Sequence, residues 1–271
     1  MKRFAIGDIH GNHKALVQCL ERSGFDKEKD QLITLGDIAD GWHEVYECVE
    51  ELLTIKNRVD IHGNHDDWFL QWLKTDKHPD NWVQGGEGTL RSYTKKLGFG
   101  YGKLQTGGWD LGDPRRLTTG MAPTDIPESH RDFFYNQKPY YRDGLDNIFV
   151  HGGFNRHYLM DEQVAYTLWW DRDLFYAALA TSGINYNSCS DRILKFKDKS
   201  INEVFIGHTQ TTYWKDKANQ PITVPIFTDR IINLDTGGGW NGVITIMNVD
   251  TKEYWQSDKA MELYPGEKGR N

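Results

Sequence analysis

Short apolar runs, each closed by a turn of glycine and acid and followed by a segment of helical period, recur three times in the first seventy-five residues. "RFAIGDIHG" leads into "NHKALVQCLERSGF", where Ala15, Leu16, Cys19 and Leu20 form an apolar stripe. "DQLITLGDIADG" leads into "HEVYECVEELLTI", with Val45, Val49, Leu52 and Leu53, and "RVDIHGNHD" leads into "DWFLQWLK". This rhythm predicts alternating β and α elements. Each polar turn follows the carboxyl end of its strand, the edge at which open α/β sheets bind ligands. Further on, "NIFVHGGF", "EVFIGHTQT" and "IINLDTGGG" read as short strands, and "GVITIMNV" with "KEYWQS" as a hairpin. Before them, from about Gly98 to Pro127, glycine and proline are frequent and no period holds, which predicts either a flexible loop or a lid over the site, the glycine-rich tips with aromatics favouring the lid. The organisation expected is one domain over residues 1–255 followed by a tail, 256–271, whose "YPGEKGRN" should fray.

Charge narrows the partners. A net charge of -7, from 32 basic and 39 acidic side chains without long blocks, offers no general attraction to duplex nucleic acid. An anionic substrate is compatible only if the site carries its own positive charge, as bound divalent ions would supply. Cys19, Cys48 and Cys189 are odd in number and far apart, so they read as reduced core thiols. The start "MKRFAIGD" lacks the apolar segment of a signal peptide and no run is long enough to span a bilayer, so a cytoplasmic protein without membrane contact is expected. Ten Trp residues belong mostly to core edges, although those in glycine-containing stretches such as "GGGWNG" could line a groove.

Five apolar runs end in polar clusters: Asp8 with His10, Asp37 with Asp40, Asn64 with His65 and Asp66, His151, and His208. One histidine at a strand end is ordinarily a hydrogen-bonded core or loop residue. Five in register imply a shared purpose. A carboxylate such as Asp8 at the end of a buried strand loses its hydration unless something positive compensates. The mixture of carboxylates, imidazoles and an amide oxygen suits Mn first, with Fe and Zn as alternatives, rather than Ca or Cu(I). The donors suffice for two ions, which one shared carboxylate would hold about 3.5–4 Å apart.

The motifs "GDIHGN", "GDIADG", "GNHD", "VHGG", "GHT" and "DTGGG", in that order, resemble those of the calcineurin-like metallophosphoesterases. "WVQGGEGTLRSY" and "LWWDR" are similar to the bacterial and phage branch of the phosphoprotein phosphatases. The resemblance runs from about residue 3 to 246 and implies an α/β (α+β) fold, a four-layer sandwich of two mixed β-sheets flanked by helices, with two divalent transition-metal ions at one end. It implies Asp8, His10 and Asp37 on the first ion, Asp37 as the bridge, and Asn64, His151 and His208 on the second. His65 matches the general acid and Asp40 the carboxylate that orients it. Arg172 matches a phosphate-gripping arginine, with Asn64 and His62 beside the substrate; the bland reading of Arg172 is a salt bridge with Asp171 or Asp173.

Two positions depart from the branch pattern. Gly41 stands where "GD-x-x-DRG" has a phosphate-binding arginine, and His62 where another arginine often precedes "GNH". His62, His43 or Arg91 could compensate, or the histidines could simply cap and pack. The implied activity is hydrolysis of phosphomonoesters, including phosphoserine and phosphothreonine in proteins, by water activated between the ions. Hydrolysis of nucleotides or dinucleoside polyphosphates is the alternative, since exposed indoles stack on bases. A protein-binding scaffold without catalysis is the third; the filled ligand, acid and orienter positions oppose it.

Overall fold

The computed structural model describes residues 1–99, 101–103, 117–181 and 194–270. Two five-stranded mixed sheets dominate it. The first runs β12 (Tyr254–Gln256), β11 (Thr245–Asn248), β1 (Arg3–Ile6), β2 (Gln31–Thr34) and β3 (Asn57–Asp60). Its β1, β2 and β3 are parallel, while β11 lies antiparallel to β1 and pairs with β12 as the expected hairpin. The second sheet runs β6 (Tyr140–Arg142), β7 (Ile148–Val150), β8 (Val204–Ile206), β10 (Ile231–Asn233) and β9 (Ile226–Phe227), parallel at its centre and antiparallel at both edges.

Side chains alternate across a strand, and here both faces are apolar, so each sheet is covered twice. Ala5, Ile33, Phe149, Phe205, Ile232 and Met247 meet between the sheets, where Phe149 and Phe205 stack at 4.8 Å. Their neighbours Phe4, Ile6 and Leu32 point outward to α1 (His13–Arg22), α2 (Val45–Leu53), α3 (Asn64–Thr75), α4 (Gly86–Leu97) and α5 (Glu128–Tyr135). Ile148, Val150, Val204 and Ile206 face α6 (Ala165–Trp170) and α7 (Asp173–Thr181). The result is the four-layer sandwich.

Local sequence sets the helix ends. The Asn12 side chain accepts the Ala15 N–H at 3.1 Å and caps α1. In α2 the buried stripe is Val45, Cys48, Val49 and Leu52, following the helical period; Leu53, expected in it, is rotated out and exposed. α3 starts at Asn64, earlier than "DWFLQWLK" predicts, because the Asp66 carboxylate accepts from the Gly63 amide as well as from Ile38 and Ala39. One buried acid thereby locks the third motif against the second.

One expectation changes, and two fall wholly or partly outside the described residues. Rather than fraying, the stretch after β12 folds back: it forms α8 (Ala260–Leu263), and Tyr264 is buried in a stack on Trp42 at 4.9 Å. The run "AYTLWWDRDLFYAALA" forms two helices, parted at Asp171, whose backbone is extended and whose carboxylate accepts the Leu174 N–H. Within the supposed lid, β4 (Tyr101–Lys103) and β5 (Leu117–Thr119) pair antiparallel, but residues 104–116 lie outside the described residues. So does Cys189, whereas Cys19 and Cys48 are buried free thiols. No helix among the described residues is long and apolar enough to cross a membrane.

Candidate dimetal site

The turns after β1, β2, β3, β7 and β8 converge at one end of the sandwich. Asp8, after β1, accepts the His208 N–H with both oxygens, at 3.1 and 3.2 Å, and so joins the two sheets. Only glycine fits at 207, since a Cβ there would lie 2.1 Å from the Asp8 Oδ1. The backbone oxygen of Asp37 accepts from Ile9 and His10, tying the second turn to the first. His10 Nδ1 contacts the Ala39 carbonyl at 3.1 Å and His151 Nδ1 the Leu35 carbonyl at 2.7 Å. Each contact fixes a tautomer and leaves Nε2 facing the site, the usual way a protein aims an imidazole at a metal.

Asp37 is the centre. Its Oδ1 accepts the His65 N–H at 2.9 Å, while its Oδ2 lies 3.5 Å from His10 Nε2 and 3.3 Å from His151 Nε2. Asn64 Oδ1 is 3.0 Å from the same His151 nitrogen. Two buried groups have ligand atoms mutually within 4.8 Å: His10, Asp37 and His65, and Asp37, His151 and His208. They share Asp37, as a bridging carboxylate should. Asp8, expected with the first group, stands beside it with Oδ2 3.9 Å from His10 Nε2.

The electrostatics suit a cation. Burial raises Asp8 well above the carboxylate range, and Asp235 adds to it. Burial depresses His151, but Asp37 and Asp8 outweigh it and lift the imidazole to about 9. His10 is lowered to about 3 by burial and then by the nearby Arg270 charge. The His151 charge, followed by those of His65 and His10, outweighs burial and holds the Asp37 carboxyl well below the usual carboxylate range, a role that divalent ions would share. The residues fit such ions: His208 Nε2 and His65 Nε2 are buried without a hydrogen-bond partner, and hard oxygen and imidazole donors surround them.

His65 and Asp40 form a separate unit. Asp40 Oδ2 is 2.7 Å from His65 Nδ1, while its Oδ1 accepts from Trp82 Nε1 at 2.8 Å and Thr89 Oγ1 at 2.7 Å. Burial pushes the Asp40 carboxyl well up, and those two donors pull against it. Burial and Arg270 push His65 well down. The ring therefore has one end anchored and Nε2 open to the site.

The remaining candidates sit around this centre. Arg172 is half-buried between α6 and α7, close enough that its charge helps to lower His208 after burial and His151. Asp171, its neighbour, caps α7. His62 is buried with Nδ1 on Gln137 Oε1 at 2.9 Å and its ring 4.4 Å from Trp169. His43 Nε2 lies 3.2 Å from Arg91 Nη1, beside a cleft of about 730 Å³ that opens at Gly41 and includes Lys95 and Lys268. Of the tryptophans, Trp42, Trp68, Trp72 and Trp82 are buried, whereas Trp169, Trp170 and Trp240 are half-buried. Trp170 touches His208 edge-on at 5.9 Å and Trp68 at 5.5 Å, and exposed Tyr166 stacks on it at 5.7 Å.

Two residues escape a motif-by-motif reading. Asp235, in "DTGGG", is fully buried; desolvation lifts it to about 6, although its Oδ1 accepts the Gly237 N–H at 3.0 Å. Like Asp8 and Asp37 it is an acid near a strand end with glycine beside it, and that signal was available. Arg270 reaches His10 from the folded-back end, with Nη1 3.4 Å from Nε2. No local pattern announces it.

Residues 1–211 match a protein-family profile described as calcineurin-like phosphoesterase. A protein named bis(5'-nucleosyl)-tetraphosphatase, symmetrical, from Buchnera aphidicola subsp. Acyrthosiphon pisum (strain Tuc7) is 39% identical over 67 residues, 24% of this chain and 24% of that one. Its counterpart from strain 5A is 37% identical over the same length. The match thus spans about a quarter of those relatives. Among solved structures, a protein provisionally named a diadenosine tetraphosphatase is similar with a TM-score of 0.57 at 13% identity, covering 94% of this chain and 92% of that one. A protein serine/threonine phosphatase from Saccharomyces cerevisiae is similar with a TM-score of 0.55 at 12% identity, covering 100% and 83%. At such identities the two structures speak for the fold alone.

Proposed function

Because the chain belongs to the calcineurin-like phosphoesterase family, we propose that it hydrolyses phosphate anhydrides of nucleotides, dinucleoside polyphosphates above all, with two divalent ions at the Asp37 centre. The observation that carries this choice is the aromatic ledge of Trp68, Trp170 and exposed Tyr166 beside His65 and His208, a platform of the kind on which a nucleobase stacks. The 67-residue likeness to the symmetrical tetraphosphatases supports it, as does the cleft at Gly41, which offers room and basic side chains to the other half of a long anion.

In this reading Asp8, His10 and Asp37 hold one ion and Asp37, Asn64, His151 and His208 the other, with Mn preferred over Fe and Zn. When bound, such ions neutralise phosphate oxygens and lower the pKa of water there. The chain's own residues do the rest. As a water oxygen forms the new bond to phosphorus and the P–O bond to the leaving group breaks, His65 Nε2 passes a proton to the departing oxygen, and Asp40 holds the ring in place. Arg172 grips a phosphate oxygen from the ledge side. Phosphoserine and phosphothreonine peptides, which need no base platform, are the comparison substrates.

The test is turnover of a dinucleoside tetraphosphate, a nucleoside monophosphate and a phosphopeptide with added Mn²⁺, in the wild type and in Tyr166→Ala. The dinucleotide should be preferred, and Tyr166→Ala should raise its KM about tenfold, the worth of a stacked base, while leaving the phosphopeptide unchanged. Preference for the phosphopeptide would return the assignment to a phosphoprotein phosphatase.

A further inference from the structure

The folded-back segment ends at a guanidinium inside the site, and nothing acidic pairs with it. Among the described residues no carboxylate lies within ion-pair distance of Arg270; its Nε is buried without a partner, and its Nη1 meets only the His10 Nε2, at 3.4 Å. The plane of its charge lies over Trp240, 5.4 Å from the ring centre. Three glycines make way for its stem. A Cβ at Gly239 would come within 3.0 Å of Arg270 Cδ, and one at Gly41 or Gly85 within 3.3 or 3.4 Å of Cγ. Gly41 also has φ +84, a backbone that other residues reach only with strain.

The chain holds this segment firmly. The Arg270 N–H donates to the Gly239 carbonyl at 3.0 Å, Trp42 Nε1 donates to the Gly238 carbonyl at 2.9 Å, and Tyr264 stacks on Trp42. Gly41 and Trp42 therefore act together, the first leaving space for the arginine and the second docking the stretch that bears it. A guanidinium fixed beside a cation site is repelled by the ions unless an anion lies between them, and a planar fork of donors suits phosphate oxygens.

We infer that Arg270 is a phosphate-binding residue of the site, clamping a substrate phosphoryl group against the dimetal centre from the side opposite Arg172. It takes over the part left open by glycine at position 41. The assignment rests on the phosphohydrolase reading above for its substrate, but not for its anion.

The experiment compares wild type, Arg270→Met and Arg270→Lys, each loaded with Mn²⁺, by metal content, thermal unfolding, calorimetric binding of inorganic phosphate, and kinetics on a dinucleoside tetraphosphate. Arg270→Met keeps the stem; it should retain two ions and weaken phosphate binding at least about tenfold, with Arg270→Lys in between. Should Arg270→Met unfold, the Lys variant with added methylguanidinium serves, and restored phosphate binding supports the assignment. Unchanged phosphate affinity in Arg270→Met would overturn it, as would a rise in metal affinity and turnover, the mark of a plug. If no phosphoester is cleaved but phosphate binding still depends on Arg270, the activity reading fails and this one stands.

Discussion

Asp37 and Arg172 face the same site but are held by different means. Asp37 has its backbone oxygen, both carboxylate oxygens and a left-handed φ of 51° fixed by neighbours on three other turns. His10, Asp40 and His208 likewise adopt positive φ, a strained choice costing on the order of 1–3 kcal/mol each that persists only where the surroundings over-determine it. Tyr166 and Trp170 stand on a short helix at the rim and Arg172 just after it, all half-buried or exposed. The strand ends are fixed by their own hydrogen bonds, as a candidate ion site should be, whereas the rim is more exposed. Metal chemistry and substrate choice should then separate under mutation.

The strongest break is Asp37→Asn. It removes the oxygen that both ligand groups share, so both ions should be lost by elemental analysis and turnover should fall by about three orders of magnitude or more. Retention of both ions would mean that the bridge lies elsewhere, with Asp8 and Asp235 the next acids to test.

His65→Asn sharpens the comparison, because His65 belongs geometrically to the first ligand group and chemically to Asp40. As proton donor it should be dispensable for metal content, while turnover drops about 10²–10⁴-fold. The drop should be larger for a phosphoserine peptide than for an anhydride, since an alkoxide leaves far less readily than a phosphate. Loss of one ion per chain would instead make His65 a ligand.

Much of this was legible before any coordinates. Strand, polar turn and helix are local patterns, so Asp8, His10, Asp37, Asn64, His151 and His208 announced themselves by position, and the motif order carried the sandwich. The branch did not follow so surely: the phosphoprotein-phosphatase likeness rested on "WVQGGEGTLRSY" and "LWWDR", and the relatives 37–39% identical over 67 residues carry another name. What stayed hidden was long-range. Arg270 reaches His10 on a segment held by the Trp42–Tyr264 stack and by the Gly239 carbonyl, both far away in sequence, and no period or turn signal encodes those contacts. The break between α6 and α7 was local and readable in principle, since "DRD" holds an N-cap acid, but the continuous apolar period masked it.

The gentlest test lies at that break. Asp171 is mostly buried, and desolvation lifts its carboxyl from 3.8 to about 6, with Asp173 adding and the Leu174 amide and Arg172 opposing. A folded-state pKa above the unfolded one contributes stability that is complete below about 4 and is lost as pH rises through about 6. At pH 7.5 the wild type therefore bears the cost of a buried charge at the rim. Asparagine keeps an oxygen for the Leu174 N–H and carries no charge. Asp171→Asn should accordingly raise the unfolding temperature at pH 7.5, by no more than about 2–4 °C for roughly 1 kcal/mol in a chain of this size, and the gain should vanish by pH 4. A shift of equal size at both pH values would show that packing against Gly153, rather than the charge, sets the balance at this end of α7, and the rim would then be less adaptable than its exposure implies.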